Sequence, residues 1–182
     1  MLGLGKNVLW NGIVSDPVAR VTYSSDFSSG VDGFSAHLDQ DPSIATLTGG
    51  VTKEGKDNSL EVSWSGSEDG LFHVRKSFPD LDDQDTQGPV VNFYCEIYYD
   101  FAADGPVDTK VRVGSGTSTN SEIFSESLSV GQWHSVHATK TFSTGEAFDE
   151  YLYIGFFDIA DAPVNGDKMY VRNVWFSFED KD

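Results

Sequence analysis

Cysteine is nearly absent from this chain: Cys95 is the single one in 182 residues. No intramolecular disulfide can form, which excludes a small oxidised scaffold. Cys95 sits inside an alternating apolar run and is expected in the core. Basic residues are scarce as well, 12 against 29 acidic ones, for a net charge of −17. Such a surface repels phosphate backbones and anionic bilayers, so neither nucleic acid nor a membrane surface is an expected partner. The charge reads first as solubility, and carboxylate coordination of a metal is the sharper alternative. No apolar run approaches the length of a membrane span, so no membrane insertion is expected. The opening MLGLGKNVLW lacks the charged start, continuous apolar stretch and cleavage pattern of a signal peptide, and no such export signal is expected. No segment holds helical periodicity over several turns.

Aromatics and glycines are plentiful, at 13% and 18 residues. With many Ser, Thr and Asp residues, that composition belongs to a turn-rich all-β chain. The length suits one domain with a sizeable core. Residues 1–20 differ from the rest: Gly3, Gly5 and Gly12 interrupt a few apolar residues, and Pro17 breaks any helix. They read as an extended docking arm, with Leu2, Leu4, Val8, Leu9 and Trp10 as its contact residues. Its partner is either its own domain or a neighbouring subunit. Residues 21–178 read as the folded domain and 179–182 as a frayed acidic tail.

Strand signals follow one another through residues 21–178. Leu60, Val62 and Trp64 share one face of a strand, and Glu61, Ser63 and Ser65 the other. Phe72 and Val74 oppose His73 and Arg75, and the intervening GSEDG has hairpin length and chemistry. Gly49-Gly50 reads as a turn. Asn92 to Phe101 is the strongest signal: Phe93, Cys95, Ile97, Tyr99 and Phe101 against Tyr94, Glu96, Tyr98 and Asp100. Val111 and Val113 point inward, as do Leu152, Ile154 and Phe156. Asn165-Gly166-Asp167 reads as a hairpin-type turn before a long aromatic strand to Phe178. About eight to ten strands spaced by turns predict an all-β antiparallel jelly-roll sandwich.

Several short marks occur in an order that resembles the jelly-roll carbohydrate-binding modules, whose fold is galactose-binding-like. They are Asp26-Phe27, Gly33-Phe34, Ser59 to Val62, Tyr94 to Tyr99, Gly131 to Phe142 and Tyr170 to Val174. Leu2 to Gly5, Ser25 to Phe34 and Gly166 to Val174 are similar to a variant of this module in bacteriophage virion proteins. That similarity implies a structural component of a tail, fibre or head decoration on the particle surface, with other virion subunits as partners. It is compatible with a homo-oligomer. The enzyme-linked modules often carry a final-strand Asp that helps hold a structural calcium ion. Arg172 stands there, followed by Asn173, and a cation beside Arg172 would be repelled. Asp26 is the other ligand the resemblance implies. No cofactor is expected.

The aromatic-acidic face is the binding candidate, because sugar rings stack their C–H faces on aromatics while neighbouring polar groups bond to hydroxyls. Tyr94, Glu96, Tyr98 and Asp100 offer both, and His73 and Arg75 are candidates for the same face. The alternative is a face that packs on another subunit. Trp64, Trp133 and Trp175 read as core residues. The loop residues Asp80, Asp82, Asp83 and Asp85 are weak calcium candidates without EF-hand spacing. No catalytic site is expected. Glu96 and Asp100 lie about 13 Å apart along a strand, long for a retaining glycosidase pair. His134 and His137 fall on opposite strand faces and do not form a chelating pair. Two readings follow: a non-catalytic virion structural protein, or a glycan-binding module for adhesion to a host or other surface.

Overall fold

The computed structural model describes residues 18–38, 44–66, 72–78, 90–114, 122–143, 151–156 and 163–180. Among them run β1 (Val18–Ser25), β2 (Ser35–Leu38), β3 (Ala45–Lys53), β4 (Lys56–Trp64), β5 (Phe72–Ser77), β6 (Val90–Asp100), β7 (Val107–Val113), β8 (Glu122–Leu128), β9 (Trp133–Thr141), β10 (Tyr151–Phe156) and β11 (Lys168–Asp180). They form two antiparallel sheets. A six-stranded sheet has the order β3-β4-β11-β6-β9, with β1 also on β11, and a five-stranded sheet has the order β2-β5-β10-β7-β8. This is the all-β antiparallel sandwich that the alternation predicts.

The alternation fills the space between the sheets. Leu60, Val62 and Trp64 of β4, Phe93, Cys95, Ile97 and Tyr99 of β6, and Leu152, Ile154 and Phe156 of β10 are all buried. Burial pushes the Cys95 thiol well above its ordinary value, which makes it an inert core residue. The Tyr99 hydroxyl, deep in the core, lies 2.8 Å from the Thr109 hydroxyl, which donates onward to the Val107 carbonyl at 3.2 Å. A phenol is thereby accommodated without an orphaned polar group.

Three turn assignments change. Gly49-Gly50 is not a turn: β3 runs through it, with register shifts that mark bulges, and the reversal into β4 comes at Glu54-Gly55. GSEDG does not close a hairpin, because β4 pairs with β3 and β11 while β5 pairs with β2 and β10. The turn before β11 likewise joins strands of different sheets. Turn chemistry signals a reversal but not its destination, and in a jelly roll most reversals cross between sheets. The domain also extends past its expected bounds: Val18 pairs with Asp180 and Ala19 with Glu179, so residues 18–20 and 179–180 lie in strands. The arm residues Leu2, Leu4, Val8, Leu9 and Trp10 lie outside the described residues.

Candidate functional site

The outer face of the six-stranded sheet is organised in rows across β11, β6 and β9. The pairings align Trp175, Tyr94 and His137; then Arg172, Glu96 and Ser135; then Tyr170, Tyr98 and Trp133. A bulge in β11 creates the first row. Strict alternation from Met169 would turn Trp175 inward, but the register shifts between Arg172 and Trp175, with Asn173 in the left-handed region at φ 48°. Arg172 and Asn173 both reach one Glu96 oxygen, at 2.9 and 3.3 Å. Val174 is buried and Trp175 emerges 38% exposed. Trp175 is therefore a surface ring and not the core residue expected from its sequence. The adjacent polar pair Arg172-Asn173, inside an alternating strand, is the signal that marks the bulge.

Tyr94 is half-buried, with its ring centroid 4.5 Å from that of His137. Open grooves flank Trp175. One is lined by Asn92, Tyr94, His137 and Thr139, the other by Ser24, Asp26, Asp32, Tyr94 and Asn173. Among the described residues, neither lining includes a lysine or an arginine. The Asn92 carbonyl accepts from Thr139 at 2.8 Å, and its amide donates to Ser177 at 3.3 Å. Asp26 accepts the Ser28 amide at 3.0 Å, and that hydrogen bond holds its carboxyl below the usual range. Asp32 accepts from the hydroxyls of Ser25 and Ser29. The Ser25 oxygen in turn accepts the Phe27 amide at 3.1 Å, so the loop after β1 is braced from within. Aromatic rings beside oriented amides, hydroxyls and carboxylates can stack on a sugar ring and bond to its hydroxyls.

The third row is closed. Tyr98 and Tyr170 are only 6% and 4% exposed. The Lys53 ammonium stands 4.8 Å from the Tyr98 ring centroid and 5.3 Å from that of Tyr170, and it meets the Asp100 carboxylate at 2.7 Å. The Lys56 ammonium lies 5.0 Å over Trp133 and 2.9 Å from Glu96. Trp133 shares this outer face, half-buried, and its indole N–H donates to the Lys53 carbonyl at 3.3 Å. Of the four candidates on β6, only Tyr94 presents an accessible ring. Tyr98 is covered, and Glu96 and Asp100 are taken up in ion pairs.

His73 and Arg75 are not on this face. They lie on β5, in the five-stranded sheet. Strand alternation places each side chain on a face but does not say to which sheet the strand belongs. His73 is 1% exposed, with ring centroids of Tyr153 and His37 at 5.6 and 6.4 Å. The Arg75 guanidinium sits 4.8 Å over Tyr151. Burial, then the charge of Arg112, then His37 hold the His73 imidazole well below its ordinary value of 6.5. Folded His73 stays neutral while the unfolded chain takes up a proton below that value. Its contribution is therefore complete above pH 6.5 and is lost as the pH falls below it. The melting temperature is expected to drop between about pH 7 and pH 5. His73→Phe should flatten that slope; an unchanged slope would assign the acid sensitivity elsewhere.

Among the described residues, no group of three or more His, Cys, Asp or Glu is placed to hold a metal ion. Asp26 accepts the Ser28 amide through one oxygen, and Arg172 is ion-paired with Glu96. Asp80, Asp82, Asp83 and Asp85 lie outside the described residues.

No family model and no curated protein matches the sequence. Solved structures do. The C-terminal family 22 carbohydrate-binding module of Clostridium thermocellum Xyn10B aligns with a TM-score of 0.57 at 17% identity, covering 88% of this chain and 95% of that one. The CBM22-2 xylan-binding domain of Paenibacillus barcinonensis Xyn10C aligns with a TM-score of 0.58 at 19% identity, covering 85% of this chain and 98% of that one. The chain has the fold of these modules. The K1 cleaved adhesin domain of Lys-gingipain from Porphyromonas gingivalis W83 aligns more loosely, with a TM-score of 0.50 at 12% identity, covering 86% of this chain and 97% of that one. Chains similar in fold to this one thus include a module beside a xylanase GH10 module and an adhesin domain.

Proposed function

We propose that this domain binds a glycan without catalysing a reaction on it, using Trp175 and Tyr94 as its stacking platform. One observation carries the reading: a bulge turns Trp175 out of an otherwise alternating strand, into grooves whose linings supply amide, hydroxyl and carboxylate groups. Trp175 and Tyr94 are the two aromatic residues that line both grooves. Grooves without a described lysine or arginine, on a chain of net charge −17, favour an uncharged polysaccharide. The module fold, found in xylan-binding domains, supports the same reading.

Affinity electrophoresis against xylan and other neutral polysaccharides tests it. Trp175→Ala is expected to weaken binding by about tenfold or more, roughly 1.4 kcal/mol, with an unchanged melting temperature. Tyr151→Ala, on the other sheet, should bind as wild type. Loss of binding in Tyr151→Ala but not in Trp175→Ala would move the site to the five-stranded sheet.

Display of this module on a phage particle is a compatible second reading. It draws on Leu2 to Gly5, Ser25 to Phe34 and Gly166 to Val174. The latter two segments also have jobs in folding: Ser25 braces the loop after β1, and Asp167 pins the segment before β11. The placement on a virion therefore rests on Leu2 to Gly5, outside the described residues.

A further inference from the structure

Resting on the reading of Trp175 as a glycan platform, we propose that the turn joining β3 and β4 is a strap closed over a second sugar-stacking row. That row is Tyr170, Tyr98 and Trp133, and a longer oligosaccharide held on Trp175 opens the strap and occupies it.

The two aromatic rows lie on the same strands. They are separated by four residues along β6, about 13 Å, with the polar row at Glu96 between them. That spacing exceeds one sugar ring and falls within a short oligosaccharide, so one extended chain would cross both rows.

The strap comes from the edge of the sheet. In the order β3-β4-β11-β6-β9, the turn must pass over β11 and β6 for the Lys53 carbonyl to accept the indole N–H of Trp133 on β9. Glu54 and Gly55 form a tight two-residue turn with φ of 48° and 73°, which holds the tip as a unit. Behind the tip the β3–β4 register shifts on both sides of Val51, and Asn58 on β4 is left-handed at φ 60°. A strap that opens would bend there, where the ladder is interrupted.

The cover itself is polar. Residues 52–57, TKEGKD, bring no apolar side chain to the rings. Two ammonium groups and their stems cover them, tied to Asp100 and Glu96 by ion pairs within reach of solvent. Contacts of that kind are weak and exchangeable. The C–H face of a pyranose is apolar and weakly positive, so it can stack on rings that an ammonium and its stem now cover.

Calorimetric titration with xylotriose and xylohexaose tests this. The double variant Lys53→Ala/Lys56→Ala is expected to bind xylohexaose about tenfold more tightly than wild type, with xylotriose affinity unchanged. Trp133→Ala, which leaves the lysines in place, should lose xylohexaose affinity severalfold and keep that for xylotriose. Equal xylohexaose affinity in wild type and both variants, with binding still dependent on Trp175, overturns the strap alone. Absence of any binding to either sugar in wild type and in the double variant removes the platform reading and the strap with it.

Discussion

Asp167→Ala is expected to lower stability by about 2–4 kcal/mol, because it removes a buried charged acceptor from two half-buried backbone donors. Asp167 is 4% exposed. One carboxylate oxygen accepts the Ala102 amide at 2.8 Å, just beyond β6, and the other accepts the Val164 amide at 2.9 Å. Its backbone carbonyl takes the Trp64 amide at 3.2 Å, and the neighbouring Gly166 amide donates to the Trp64 carbonyl at 2.9 Å. A single residue thus ties together the ends of β4 and β6 and the start of β11. Asp167→Asn keeps one acceptor and should lose about half as much. Urea denaturation reads the difference as a shift in midpoint at constant slope. A change in Asp167→Ala below about 1 kcal/mol would mean that water replaces the carboxylate.

Gly49→Ala is expected to cost about 3 kcal/mol, at the upper end for overpacking. A Cβ there would stand 2.1 Å from the Gly30 carbonyl oxygen and 2.2 Å from its carbon, both backbone atoms that cannot swing aside. The bulge at Gly49-Gly50 lets the loop after β1 press its backbone directly on β3. Gly55→Ala is the control: Gly55 has φ 73° but open space around its Cβ position. It should lose only about 1 kcal/mol, the cost of a left-handed alanine. Equal losses at the two positions would refute the contact argument. Because the displaced loop carries Asp26 and Asp32, Gly49→Ala should also disturb one of the grooves beside Trp175.

Much of the fold is legible in the sequence, because alternation is a local property. The apolar faces read from Asn58 to Ser65 and from Asn92 to Phe101 are the buried faces of β4 and β6. What alternation cannot carry is the partner of each strand. β5 and β6 follow one another in the chain and fall in different sheets, which parts His73 and Arg75 from Tyr94 and Glu96. Gly49-Gly50 has the composition of a turn and serves as a bulge, since two glycines suit a close backbone approach equally well.

The outer face of the six-stranded sheet is half legible for a related reason. The place of Tyr94 on the polar face of β6 follows from alternation. The exposure of Trp175 does not, because a bulge breaks the period on which alternation relies, although Arg172-Asn173 announces it. The closure of Tyr98 by Lys53 is a contact across the sheet from a turn 45 residues upstream (98 − 53), beyond any local pattern.

The most direct test of the central claim is the indole N–H spectrum of the protein during titration with xylotriose. The chain has four tryptophans, and Trp175→Phe assigns the signal of interest by its disappearance. The account predicts that the Trp175 signal shifts on binding while that of buried Trp64 stays in place. Saturable binding with the Trp175 signal unmoved would contradict it.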